Sequence, residues 1–113
     1  MPWYYDPHSG GVKIPPKIYD KLRSIVHAYE ESRPWYPQYS LQLRFRGQFC
    51  YVDGCEDGKN PFPLGRLRHF KENDWSLAFY TYSNERYEPC YLRNGKFNGT
   101  IEEAIEVCEL YLQ

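Results

Sequence analysis

No apolar run in this chain approaches the ~20 residues that span a bilayer, so no transmembrane helix is expected. Net charge is scarce as well: 14 Lys and Arg against 15 Asp and Glu leave a formal charge of -1, which argues against a generic polyanion binder. Metal-site spacing is missing from the 4 cysteines. Cys50 and Cys55 are separated by four residues, Cys90 and Cys108 lie far off, and no CxxC pair occurs, so neither a zinc site nor a cysteine nucleophile is expected. Gly10-Gly11 and Gly54 lack the strand and helix that frame a phosphate-binding loop, and no cofactor is indicated. Met1 to Asp6 shows neither the basic nor the apolar region of a secretory signal, so a cytoplasmic protein with reduced thiols is expected.

Aromatic residues are plentiful, at 19% with 12 Tyr, 6 Phe and 3 Trp, more than the core of a 113-residue domain needs. Several rings should therefore sit partly exposed, as Tyr and Trp do on contact surfaces. Charge is unevenly distributed. Residues 100–113 hold Glu102, Glu103, Glu106 and Glu109 with no Lys or Arg, whereas residues 42–71 hold Arg44, Arg46, Lys59, Arg66, Arg68 and Lys71. One side is expected to be acidic and another basic.

Residues 1–13 have no periodicity and read as an irregular arm; a single α+β domain is expected over 14–113. Pro15-Pro16 suits a first helical turn, and Ile18, Leu22, Ile25, Val26 and Tyr29 form one apolar stripe that predicts a helix ending near Ser32. From Leu41 the period changes to two. Leu41, Leu43 and Phe45 point one way and Gln42 and Arg44 the other, and a two-residue turn at Arg46-Gly47 would set Cys50 and Val52 in the core and Phe49 and Tyr51 beside Arg44. Residues 53–63 read as a long loop. A third strand turns Leu67 and His69 inward and Arg66 and Arg68 outward; a fourth turns Trp75, Leu77 and Phe79 inward and Ala78, Tyr80 and Tyr82 outward. A shorter strand from Tyr87 to Leu92 carries Pro89, which favours an edge. Thr100 and Glu103 make a capping box for a second helix with Ile101, Ala104, Ile105, Cys108 and Leu112 on its buried face. The expected fold is a two-layer α+β domain with four or five antiparallel strands and both helices on one face.

The other face of the sheet then collects Arg44, Phe49, Tyr51, Arg66, Arg68, Tyr80 and Tyr82. Rings and guanidinium groups arrayed this way suit single-stranded RNA, a protein partner, or mutual packing across strands. Burial of the same face in a homodimer is a further use for it. A metal-independent RNase is the catalytic alternative, through Arg66, Arg68, Tyr80 and Glu85, although alternation turns His69 away from the arginines. Asp53, Glu56 and Asp57 stand among glycines, which marks a turn more simply than a cation site, and Glu102, Glu106 and Glu109 read as a solvated helix face.

Residues 3–11 (WYYDPHSGG), 14–16 (IPP), 44–51 (RFRGQFCY), 66–68 (RLR), 77–83 (LAFYTYS) and 87–89 (YEP) together resemble a small family of uncharacterised bacterial proteins. The resemblance implies a bacterial, cytoplasmic, single-domain protein and transfers no catalytic residue. More loosely, Gly95 to Ala104 is similar to the strand-to-helix step of some antitoxin domains. The sequence reading is thus a binding module for a protein or single-stranded RNA, without a membrane role, in a regulatory or defence-related setting.

Overall fold

A computed structural model describes residues 10–112. The rings of the expected arm, at Trp3, Tyr4 and Tyr5, lie outside the described residues. The end of the arm is docked. Val12 N–H donates to His69 O at 2.8 Å, Ile14 N–H donates to Gly47 O at 2.9 Å, and the Ile14 side chain is fully buried.

A 3-10 turn at Pro16–Ile18 leads into helix α1, Tyr19–Glu31. Leu22 and Val26 of the expected stripe are buried, and Ile18, Ile25 and Tyr29 pack against the core beside them. Five strands follow: β1 (Tyr39–Arg46), β2 (Phe49–Glu56), β3 (Phe62–Lys71), β4 (Asp74–Thr81) and β5 (Arg86–Cys90). They pair antiparallel in chain order, and a two-residue strand β6 (Asn98–Gly99) pairs with the start of β4, where β5 does not reach. Helix α2, Ile101–Cys108, closes the chain and continues into a 3-10 turn at Glu109–Leu112. Its capping box forms as expected: Glu103 N–H donates to Thr100 Oγ1 at 3.2 Å, and Thr100 N–H donates to Glu103 Oε1 at 2.9 Å.

Both helices cover the same face of the sheet. One core joins Leu22 and Val26 of α1, Ile101, Ala104, Ile105 and Cys108 of α2, and Cys50, Val52, Leu67, Trp75 and Leu77 of the strands. Burying side chains of this kind contributes roughly 1.5–3 kcal/mol each. Gly65 lets α2 approach: a Cβ there would stand 2.9 Å from both Cys108 Sγ and Leu77 Cδ1.

Two local expectations change, and a bulge adds a third feature. The β1–β2 turn is Gly47-Gln48, since Arg46 pairs with Phe49, and Gly47 supplies the positive φ (61°) that this tight turn needs. The slip relative to an Arg46-Gly47 turn is two residues, so every side chain keeps its expected face. The 53–63 loop is shorter than expected, because β2 runs to Glu56 and β3 begins at Phe62. A bulge at Val52/Asp53 leaves Leu64 of β3 without a counterpart on β2 and buries it completely.

Candidate functional site

The open face is built rung by rung from the ladder. Arg46 faces Phe49, which faces Arg68; Arg44 faces Tyr51, which faces Arg66, which faces Ala78; Tyr80 faces Tyr87. All seven residues expected there come to one side of the sheet, and they touch one another. The Arg66 guanidinium lies 4.6 Å from the Phe49 ring centroid and 5.4 Å from that of Tyr87; Arg68 lies 4.7 Å from Phe49. Arg44 lies 4.9 Å from Tyr51. Tyr87 is the hub of the tyrosines, meeting Tyr51 at 5.6 Å and Tyr80 at 5.0 Å, both edge to face. Tyr80 continues the chain to Tyr82 at 4.9 Å, and Tyr82 to Tyr111 at 5.2 Å.

The three arginines have different partners. Arg44 reaches diagonally across the β1–β2 ladder to Asp53, Nε to Oδ2 at 2.6 Å and Nη2 to Oδ1 at 3.2 Å, a bidentate pair whose carboxylate is 6% exposed. Asp53 therefore belongs to the face and not to a solvated loop. Arg68 is 8% exposed and donates from Nη1 to Gly10 O at 2.8 Å, so it fastens the end of the arm. Arg66 is half-buried between the Phe49 and Tyr87 rings, and no carboxylate pairs with it among the described residues.

Tyr82 and Tyr87 keep their protons. Burial pushes the Tyr82 and Tyr87 hydroxyls above the ordinary tyrosine range, and the Asp53 charge adds to the shift at Tyr87. Asp53, by accepting from Arg44, raises the guanidinium's pKa above its usual value. These hydroxyls are donors, and Tyr82 uses its own on Pro63 O at 2.7 Å.

The alternative catalytic set draws on two places in the sheet. Arg66, Arg68 and Tyr80 share the face, but Glu85 lies in the β4–β5 turn at φ 52°. That turn is beyond the Thr81–Arg86 pair, at least three residue steps or ~10 Å from the Arg66–Ala78 rung. His69 faces the core as expected, 6% exposed, with Nδ1 3.3 Å from Val12 O and its ring 4.7 Å from Trp75. No cluster of three His, Cys, Asp or Glu suited to a metal ion occurs among the described residues.

Sequence reasoning missed Asp53, Tyr87 and Tyr111 as members of this surface. Asp53 was masked by the Asp-Gly turn signal that follows it. Tyr87 had a usable signal, because a short turn after Tyr82 sets it opposite Tyr80. Tyr111 had none: it lies past α2, in the terminal 3-10 turn, where it stacks on Phe79 at 4.8 Å and donates to Tyr80 O at 3.1 Å. The helix face also changes. Glu102 is exposed, but Glu109 is 2% exposed, and its carboxylate accepts from Arg33 Nε and Nη2, each at 2.9 Å, and from Trp35 Nε1 at 3.1 Å.

No family model, curated protein or solved structure matches the chain. No helix of the described residues is long and apolar enough to cross a membrane.

Proposed function

We propose that the chain is a non-enzymatic binding module whose open sheet face docks a protein partner, with Arg66 receiving an acidic group and the tyrosines around it supplying contact area. The observation that carries this reading is the arrangement of Arg66, a cation held between two rings with no carboxylate partner among the described residues, at the centre of a tyrosine cluster. Tyr and Arg are the residues that dominate binding energy at protein interfaces. Rigid tyrosines also lose little side-chain freedom on docking, because two torsions define them.

The ring geometry favours protein over single-stranded RNA. Bases bind by lying on an aromatic face. Here Phe49 already has two guanidinium groups over its ring, and Tyr51, Tyr80, Tyr82 and Tyr87 meet edge to face, each using ring surface on its neighbour. What remains outward is ring edge, hydroxyl and guanidinium, which suits the polar rim and mixed core of a protein interface. The patch extends around the end of β4, where Tyr82 is 46% and Tyr111 41% exposed. A cytoplasmic setting belongs to the same proposal, since Cys50 and Cys108 serve as small core residues in the thiol form.

The test is a photo-crosslinking amino acid placed at Tyr82 and, as a control, at Glu102, which is exposed on α2 at the helix-covered side of the sheet. In cells that express the chain, a discrete adduct at position 82 that protease removes and nuclease does not would support the reading. A nuclease-sensitive adduct would assign the face to RNA. Equal, diffuse labelling from both positions would remove the case for a contact surface.

A further inference from the structure

A second surface lies at the outer edge of β1, and its backbone pattern is specific. Just before the strand, Gln38 gives its carbonyl to Asp57 N–H on the β2 side at 2.9 Å. The odd-numbered residues turn the other way: Tyr39 N–H donates to Trp35 O at 2.9 Å, and Leu41 N–H donates to Glu30 Oε2 at 2.8 Å. Antiparallel strands alternate in this manner. The unbroken β1–β2 register therefore aims the N–H and C=O of Leu43 and Phe45 away from the sheet, and no backbone partner outside the ladder meets them among the described residues. The first half of the edge is sealed by the chain itself. The second half is open.

A groove of about 410 Å³ runs beside this edge. Arg23, Val26 and His27 of α1 form one wall, and Leu41 and Leu43 of β1 form the other. Arg23 stands over the Phe45 ring at 5.1 Å, next to the open stations, and among the described residues its carboxylate partner is the exposed Asp20 at 3.2 Å. Arg46 is exposed at the strand end and enters no ion pair among the described residues. The groove's own carboxylate, Glu30, is buried and already holds Leu41 N–H and His27. The free charge along the edge is positive.

We infer that the Leu43–Phe45 edge of β1 accepts an extended acidic peptide segment as an added strand, its apolar side chains entering the α1–β1 groove and its carboxylates turned to the opposite side, where Arg46 stands exposed at the strand end. Backbone pairing at the two stations supplies the register, and alternate side chains supply the choice of sequence. A second copy of this chain is disfavoured on the same edge. A two-fold register that uses both stations sets Arg44 against its own copy, and like charges directly opposite are destabilising. The inference concerns a surface apart from the tyrosine cluster and stands or falls separately from the function proposed above.

The experiment is fluorescence polarisation of the full chain with a labelled hexapeptide of alternating glutamate and valine, beside its lysine–valine counterpart, with light scattering on the same samples. The acidic peptide should bind, weaken with added salt, and lose about tenfold or more in affinity when the backbone nitrogens that face β1 are methylated. Leu43→Pro should weaken binding as much, since it deletes an outward donor that the β1–β2 ladder does not use. Should that variant fail to fold, the methylated peptide on the unaltered protein decides the matter. Equal binding of acidic and basic peptides, full binding of the methylated peptide, or a stable dimer that excludes the acidic peptide would each overturn the inference.

Discussion

Glu109 receives two N–H groups from Arg33 and one from Trp35 while 2% exposed; Glu102, two turns earlier, meets solvent. Removing one member of a buried ion pair strands the other. Glu109→Ala should therefore destabilise by ~3 kcal/mol, which for a domain of this size lowers Tm by about 10 °C or more. Glu102→Ala should stay within about 0.5 kcal/mol. Thermal melts of the two variants check the contrast, and similar Tm values would show that the Arg33–Glu109–Trp35 cluster contributes nothing. His27 gives a second test at this scale. Its Nδ1 is 2.9 Å from Glu30 Oε1 and its Nε2 is 3.4 Å from Glu31 Oε1, and the Glu30 hydrogen bond, followed by the Glu31 charge, raises its pKa above the ordinary 6.5. The stabilisation this gives is fully present below pH 6.5 and is lost as pH rises through the raised value. An NMR titration should place the His27 midpoint above 6.5 and show it fall toward 6.5 in Glu30→Gln. A midpoint at or below 6.5 in the unaltered protein would contradict the assignment.

Among the elements, the tightest dependence is that of α2 on Gly65. A methyl group there meets Cys108 Sγ and Leu77 Cδ1 at 2.9 Å, so Gly65→Ala should cost about 1–3 kcal/mol, and Cys108→Ala in the same chain should restore part of that loss. Denaturant unfolding of the single and double variants measures the coupling, and strict additivity would mean that the helix does not approach the sheet at this glycine. The elements that were legible in the sequence are those specified locally. The α1 stripe, the Thr100–Glu103 box and the alternation of β3 and β4 each depend on neighbours a few residues away. The hairpin turn was displaced because Arg46-Gly47 and Gly47-Gln48 are equally good two-residue candidates, and the faces survived because the slip is even. What stayed hidden depends on distant partners. Asp53 resembles a turn residue until Arg44 is set diagonally across from it, Glu109 resembles a solvated glutamate until Arg33 and Trp35 arrive from the other helix end, and a two-residue strand such as β6 has no periodicity at all.

At the scale of the whole molecule, the two helices fill one face of the sheet and leave the other to arginine and tyrosine. Seven residues of that face could be named from alternation alone, since strand parity needs no knowledge of the partner strand. Their differing roles could not, because Arg44, Arg66 and Arg68 are the same residue type in the same pattern and differ only in what meets them. Arg44 is paired with Asp53, Arg68 holds Gly10, and among the described residues Arg66 meets rings and no carboxylate. On the proposed function, Arg66 is the cation that meets the partner. The deciding measurement is the crosslink yield from position 82 in Arg66→Ala, taken together with the Tm of that variant. Two cation–π contacts of ~0.5–1 kcal/mol each limit the loss of stability to about 1–2 kcal/mol, a Tm decrease of several degrees, while the protein adduct should fall about tenfold or more. An undiminished adduct in a variant that melts far lower would show that Arg66 serves the fold and not the partner.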